Sequence, residues 1–129
     1  MAKGIEIRAA HFPGRAPIDA YGNGGFRFAE MSHRGSLLCV PSGIHGWAPV
    51  SHAELDEVAF QRVFDEAAEI QILLVGTGDR LQPLPPTLKA RLREAGVSVE
   101  VMSTGAAVRT YNVLLEEDRA VAAALIAVE

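Results

Sequence analysis

The chain has 129 residues, with 12 Lys and Arg against 16 Asp and Glu, which gives a formal net charge of −4 and an isoelectric point near 5.5. This acidic balance argues against the broad basic surface of nucleic-acid-binding proteins, and the composition is that of one globular domain spanning residues 1–129. The single cysteine, Cys39, excludes an intrachain disulfide, and no apolar run reaches the ~20 residues of a membrane span.

Short strands are predicted in the N-terminal third of the chain. Ile5 to Arg8 alternates apolar and polar residues, as an edge strand does. Alternating residues at 18–21 and 26–28 flank a Gly-Asn-Gly-Gly cluster, which is typical of a β-hairpin. Ser36 to Val40 predicts the next strand, which Pro41-Ser42-Gly43 would end.

A helix is predicted from Leu55 to Ala68. Ser51 and Glu54 have the spacing of a capping box, and the apolar residues that follow repeat with a helical period. Phe64 falls on the face expected to pack against the sheet. Trp47, in the loop before this helix, is interpreted as a core residue in preference to an interface anchor.

The run Ile70 to Val75 is nearly all apolar and predicts a strand buried on both faces, followed by the turn Gly76-Thr77-Gly78. Pro85 and Pro86 suit the first turn of a second helix, which Gly96 would end. Val97 to Met102 alternates as a strand.

Thr104 is predicted to cap a third helix that extends to about Leu115. The closing segment, Val121 to Val128, is ambiguous because its alanines favour helix whereas Val, Leu and Ile suit a buried strand. We interpret it as a strand that returns antiparallel to a neighbour. The predicted fold is therefore α/β and three-layered, with a mixed central sheet, a parallel core and an N-terminal hairpin.

Three connections offer candidate site residues. In open parallel sheets, ligands bind beyond the carboxyl ends of the strands. We expect three segments to meet there: Pro41-Ser42-Gly43, Gly76-Thr77-Gly78 and Ser103-Thr104-Gly105. The candidate ligand-binding residues are Ser42, Gly76, Thr77, Gly78, Thr104 and Arg109.

Each of these loops also has a purely structural interpretation, because Gly, Ser and Thr are common in turns and helix caps. Arg109 could bind an anion beside the third helix. It could instead pair with Glu116, Glu117 or Asp118 and tie the helix to the following turn.

Known catalytic and cofactor patterns are missing from the sequence. Gly76-Thr77-Gly78 lacks the third glycine of a dinucleotide fingerprint, no Walker sequence is present, and the four histidines have no metal-ligand spacing. Cys39 is expected to be buried, and Lys89, Arg91 and Arg93 are expected on a solvated helix face. We therefore expect no cofactor, no metal and no catalytic residues.

Several motifs occur in the same order as in a known family. They include Tyr21-Gly22, Gly24-Gly25-Phe26-Arg27, Gly35-Ser36-Leu37-Leu38, Pro41, Trp47, Gly76-Thr77-Gly78 and Arg109-Thr110-Tyr111-Asn112, with Glu117, Arg119 and 121–125 near the end. In this combination the chain resembles the small α/β family of mitochondrial complex I assembly factor 3, which includes the adipogenesis-associated domain protein and many prokaryotic proteins.

The resemblance implies a three-layered fold whose last strand is antiparallel. It also implies a non-catalytic role, in which the protein contacts another protein during respiratory complex I assembly. The alternative is a binder of small anionic ligands, or an enzyme, at the glycine-loop edge. No signal peptide or mitochondrial presequence is recognised, so a cytoplasmic protein is expected. The sequence leaves the oligomeric state open.

Overall fold

A computed structural model of the chain describes residues 12–129. Its first three strands form an antiparallel meander: β1 (Ile18–Gly22), β2 (Gly25–Phe28) and β3 (Met31–Arg34). The predicted hairpin is confirmed as β1 and β2. Strand β3 was not predicted, because the turn before it uses Ala29 and Glu30 at positive φ (48° and 63°) where glycine would be the usual signal.

The other five strands form the central sheet, in the spatial order β5-β4-β8-β6-β7. Their bounds are β4 (Ser36–Val40), β5 (Gly43–Trp47), β6 (Ile72–Gly76), β7 (Ser98–Met102) and β8 (Val121–Leu125). The predicted strand at the C-terminus is confirmed. It lies in the middle of the sheet, antiparallel to β4 and parallel to β6.

Strand β5 is a second element that the sequence did not reveal. Pro41-Ser42-Gly43 does not lead into a loop, since the chain turns back at Gly43 and pairs with β4. Gly43 has φ +147°, and a Cβ there would lie 2.1 Å from the carbonyl oxygen of Phe12. Only glycine lets Phe12 bridge to Ile44 on the outer side of β5.

Three α-helices lie in the described part of the chain: α1 (Gln61–Asp65), α2 (Pro86–Glu94) and α3 (Thr104–Glu116). The residues of α1 and α2 that pack on the sheet, Val63, Leu88 and Leu92, belong to the core on one face. Ala107, Val108 and Tyr111 of α3 belong to the core on the other face, together with Phe26 and Phe28 of the meander. The three-layered α/β architecture is thus confirmed.

The first predicted helix is wrong in extent and partly in phase. Residues 52–54 and 67–69 form 3₁₀ turns, and only Gln61–Asp65 is α-helical. Ser51 makes no capping hydrogen bond through its side chain. Phe60 is the fully buried aromatic residue, whereas Phe64 is only partly buried.

Trp47 supplies the physical reason for this irregular segment. Its indole Nε1 donates to the carbonyl oxygen of Ala59 at 2.7 Å, and its ring packs edge-on against Phe60 with centroids 5.3 Å apart. The chain is anchored to the sheet at residues 59 and 60, so a continuous helix does not form there. The interpretation of Trp47 as a core residue agrees with this packing.

The predicted edge strand at Ile5 to Arg8 lies outside the described residues. Within residues 12–129, no helix is both long and apolar enough to cross a membrane.

Candidate functional site

The carboxyl ends of β6 and β7 lie beside the first turn of α3, as expected for a parallel pair. Gly76 makes this approach possible, because a Cβ there would lie 2.8 Å from the Cα of Thr104 and 3.1 Å from a methyl group of Leu125. The amide of Thr104 donates to the carbonyl oxygen of Gly78 at 2.8 Å. The second and third predicted loops are therefore in direct contact.

The two threonines at this edge are buried and use their hydroxyl groups internally. The Thr104 hydroxyl donates to the carbonyl oxygen of Ile126 at 2.7 Å and accepts from the amide of Gly78 at 3.0 Å. The Thr77 hydroxyl accepts from the amide of Gln82 at 2.9 Å and lies within hydrogen-bonding distance of the carbonyl oxygens of Arg80 and Met102. Both side chains hold the loop together and do not line the surface above it.

Ser42 does not join this edge, so the expectation that three connections meet there is wrong. Strand β4 runs antiparallel to β8, and Leu37 of β4 lies level with Leu125 and hence with Gly76. The turn after β4 consequently lies at the opposite end of the strands from Gly76. There the Ser42 hydroxyl donates to a carboxylate oxygen of Glu66 at 2.6 Å and lies 3.1 Å from Nε2 of His45.

A small cavity of about 140 Å³ lies above the β6 and α3 junction. Of the predicted residues, Gly78 and Arg109 line it. Its other lining residues are Tyr21, Asp79, Ser103, Gly105 and Val128. The volume suits a small anion but is below the roughly 300 Å³ of typical pockets for larger ligands.

Ser103, and not Thr104, is the N-cap of α3. Its side chain accepts from the amide of Ala106 at 3.3 Å, while Thr104 is the first helical residue. The predicted cap was one residue late because both positions carry a hydroxyl group. Ser103 and Gly105 line the cavity, so the positive end of the helix dipole lies beside it and favours negative charge there.

Arg109 is exposed, lies more than one turn beyond the first residue of α3 and lines this cavity. Among residues 12–129 it makes no ion pair, and the pair that Asp118 forms is with Arg15 at 3.8 Å. The internal pairing with Glu116, Glu117 or Asp118 is therefore not formed in the described part of the chain. Asp79, in the same cavity, is the one acidic residue among its lining residues, and its charge would oppose a bound anion.

Tyr21 was not predicted to belong to this region. A Cβ on Gly105 would lie 2.3 Å from the Tyr21 phenol oxygen, so the tyrosine ring lies directly over the first turn of α3. The sequence signal was Tyr21 next to the hairpin glycines, but nothing local connects the hairpin with residue 105. The meander therefore forms one wall of the cavity.

Cys39 is buried, as predicted, and lies against Tyr111. Burial raises the pKa of the Cys39 thiol, and a hydrogen bond from Tyr111 lowers it in part. The net result is a pKa raised from 9.0 to about 12. Burial, followed by the charge of a Cys39 thiolate, likewise raises the pKa of the Tyr111 phenol above its ordinary 10.0. Such a thiol is protonated at neutral pH and is a poor nucleophile. Within residues 12–129, no group of His, Cys, Asp and Glu has a metal-binding arrangement.

The family is decided by a match over residues 18–126 to the model described as protein of unknown function (DUF498/DUF598). The chain belongs to this family. An uncharacterized protein of Rhodobacter capsulatus is 43% identical to it over 119 residues, covering 92% of this chain and 90% of that protein.

A second DUF498/DUF598 relative has a named role. The mouse NADH dehydrogenase (ubiquinone) 1 alpha subcomplex assembly factor 3 is 32% identical over 122 residues, covering 95% of this chain. The matched region is 66% of the length of the mouse protein. The resemblance to the complex I assembly factor 3 family is confirmed.

The fold is shared with solved structures. A Bartonella henselae protein described as an outer membrane protein has 60% sequence identity and a TM-score of 0.88, covering 92% of this chain and 100% of that chain.

Some of the motifs that indicated the resemblance to the complex I assembly factor 3 family have structural explanations in this chain. Asn112 donates to the carbonyl oxygen of Ile18 and accepts from its amide, both at 2.8 Å, which fixes β1 to α3. A Cβ on Gly25 would lie 2.1 Å from the carbonyl oxygen of His33, so this glycine permits the close pairing of β2 with β3. Asn112 therefore fixes the meander to α3, and Gly25 maintains the pairing within the meander.

Proposed function

We propose that this protein is a non-catalytic assembly factor that acts by contact with another protein, in the building of a respiratory NADH dehydrogenase (complex I). The observation that carries the proposal is the similarity to mouse assembly factor 3 over 95% of this chain, which spans both sheets and all three helices. The similarity therefore extends over nearly the whole chain and is not limited to one motif.

The chemistry of the sheet edge supports a binding role over catalysis. The hydroxyl groups of Thr77 and Thr104 are engaged with the backbone, and the buried Cys39 thiol is protonated at neutral pH. A single, buried cysteine fits a reducing compartment, and we propose a cytoplasmic location.

The proposal is tested by deleting the gene in its native cell. We expect the deletion to lower the amount of fully assembled NADH dehydrogenase on native gels and the NADH oxidation rate of the membranes. A plasmid copy of the gene should restore both, and a tagged copy should purify with at least one subunit of the complex. Normal amounts of the assembled complex in the deletion strain would overturn the assembly role.

A second candidate function is the binding of a small anion in the cavity between Gly78 and α3. The specific observation is that an unpaired Arg109, the cap residue Ser103 and the amino end of a 13-residue helix share this cavity. Ser42, Thr77 and Thr104 have no part in this proposal, because the structure places them elsewhere or engages their hydroxyl groups.

The anion site is tested with phosphate and sulfate in thermal-shift titrations of the wild type and the Arg109→Ala variant. We expect both anions to raise the melting temperature of the wild type but not of the variant. The two proteins should melt together in chloride, because Arg109 makes no ion pair within residues 12–129. A wild type whose melting temperature does not respond to either anion would exclude the site.

A further inference from the structure

Strand β7 forms one edge of the central sheet, and among the described residues it pairs only with β6. The amide of Ser98 donates to Gln71, and the carbonyl oxygen of Met102 accepts from Thr77, both at 3.0 Å. In a parallel ladder the direction of these groups alternates along the strand. The backbone amides and carbonyls of Val99 and Val101 therefore point away from the sheet.

The edge is accompanied by an open groove. Two adjoining clefts of about 320 and 650 Å³ run along β7 and share Lys89, Arg93 and Val99 among their lining residues. The apolar part of the groove comes from the proline-containing segment before α2 and from the valines of β7: Leu81, Pro83, Leu84, Val99 and Val101. Leu81 is 57% exposed and adds apolar surface to the groove.

Among the described residues, the groove is lined by two basic side chains, Lys89 and Arg93, and by one acidic side chain, Glu100. Within residues 12–129 none of the three forms an ion pair, whereas Arg91 of the same helix pairs with Glu57 at 3.0 Å. Lys89 and Arg93 are one turn apart on α2 and line both clefts. Both side chains are exposed, as predicted for a solvated helix face, and they lie beside the free edge of β7.

We infer that the β7 edge takes up an extended segment of a partner protein, as an added strand whose acidic side chains face Lys89 and Arg93. Backbone hydrogen bonds to Val99 and Val101 would supply affinity, and the apolar floor would receive alternate side chains of the segment. The inference rests on the proposed assembly function, for which it names the contact surface.

Charge also disfavours a second copy of the chain in the register that pairs all five residues of both β7 strands. An antiparallel pairing of two β7 strands centred on Glu100 would place the two Glu100 side chains opposite each other, and like charges in that position are unfavourable. A segment with glutamate or aspartate on the valine-facing side has no such conflict. It also gains from both basic residues of α2.

The test uses a capped synthetic peptide of about eight residues, which is an ordinary strand length. The peptide alternates valine and threonine, with glutamate replacing the valine at each end. On addition of this peptide, we expect the amides of Val99 and Val101 to shift in NMR spectra and to gain protection from hydrogen exchange. A peptide with lysine in place of glutamate should bind about tenfold more weakly.

The Lys89→Glu/Arg93→Glu variant should weaken binding of the acidic peptide by about tenfold. Both side chains are exposed, so the variant should fold. The Arg27→Glu/Arg34→Glu variant makes the same change of charge on the meander and should bind like the wild type. Absence of binding, binding at another surface, or a peptide-free dimer that already protects Val99 and Val101 would overturn the inference.

Expression of the α2 variant in the deletion strain separates this inference from the assembly role. Failure to restore the assembled complex, with rescue by the meander variant, supports the groove as the contact surface. Full rescue by the α2 variant overturns the groove and leaves the assembly role standing. A deletion strain with normal complex overturns the assembly role, and peptide binding then decides the groove alone.

Discussion

At the scale of single residues, the polar side chains near the predicted site act mainly as structural connectors. Thr104 lies at the point where β6, β8 and α3 meet and is fully buried. Its hydroxyl group satisfies one carbonyl and one amide that would otherwise have no partner at that position. A buried polar group left without a partner costs ~1–3 kcal/mol, so this threonine has a large effect on stability.

Thr104→Val should therefore lower the free energy of unfolding by about 2–4 kcal/mol, because the carbonyl of Ile126 and the amide of Gly78 both lose a partner. Urea denaturation followed by circular dichroism measures the change. Ser42→Ala is the control, since Ser42 is exposed and its loss should cost under about 1 kcal/mol. Equal effects of the two substitutions would contradict this assignment.

The pair of Cys39 and Tyr111 makes stability sensitive to alkaline pH. Because the pKa of Cys39 is raised from 9.0 to about 12, the unfolded chain loses this proton before the folded chain does. The folded state then binds more protons than the unfolded state, so stability falls as pH rises. Tyr111 acts in the same direction above pH 10.0.

We expect the free energy of unfolding to be insensitive to these two groups below pH 9.0 and to fall from there to about pH 12. The slope is at most ~1.4 kcal/mol per pH unit for each group. Urea titrations at successive pH values measure it. In Cys39→Ala the decline should begin only as tyrosine ionises, and an unchanged onset in that variant would refute the contribution of the thiol.

At the scale of elements, the segment before β6 shows how a tertiary contact interrupts a helix. The apolar spacing of residues 55–68 is helical, yet the α-helix is limited to Gln61–Asp65. The hydrogen bond from Trp47 to Ala59 and its edge-on contact with Phe60 hold the chain close to the sheet immediately before the helix starts at Gln61. The Phe60 side chain is consequently fully buried, whereas the Phe64 side chain is only partly buried.

Phe60→Ala should lower the free energy of unfolding by ~3–5 kcal/mol, the usual cost of removing a fully buried phenyl group. Phe64→Ala is a matched control in the same segment and should cost less than half as much, because its ring is only partly buried. Guanidinium denaturation of both variants provides the comparison. A larger loss for Phe64→Ala would mean that the packing of α1 is different.

At the scale of the whole molecule, the meander is held on the central sheet by few specific contacts. Asn112 connects α3 to β1 through two hydrogen bonds, and the amide of Gly24 donates to the carbonyl oxygen of Val128 at 2.8 Å. Phe26 and Phe28 add an apolar contact with the core on the α3 face. The meander also forms the Tyr21 wall of the small cavity.

Asn112→Ala should loosen the meander selectively, because the backbone amide and carbonyl of Ile18 both lose their hydrogen bonds to the Asn112 side chain. We expect faster hydrogen exchange at the amides of β1 and β2, and unchanged exchange at β6 and β8. Amide-resolved NMR measures the two groups separately. Thr110→Ala, two residues away on the same helix, is the control, and a uniform acceleration over all strands would indicate global destabilisation instead.

Elements whose signals are local could be predicted from the sequence alone. The apolar run before Gly76, the prolines before α2, the left-handed Gly96 and the hairpin glycines each follow from backbone preference or burial within a few residues. The prediction of a strand at the C-terminus was also confirmed, as Val121–Leu125. Four of its five residues are fully buried, and the strand packs against both cores, which suits its apolar sequence.

The arrangement of these elements depends on tertiary contacts and could not be predicted from local patterns. Strand β8 lies between β4 and β6, antiparallel to β4 and parallel to β6. Strand β4 therefore runs opposite to β6, and Ser42 lies at the other end of the strands from Gly76. Pairing direction depends on contacts between residues far apart in the chain, which leave no local pattern. For the same reason, the wall formed by Tyr21 and the groove beside β7 emerge only when distant segments are brought together.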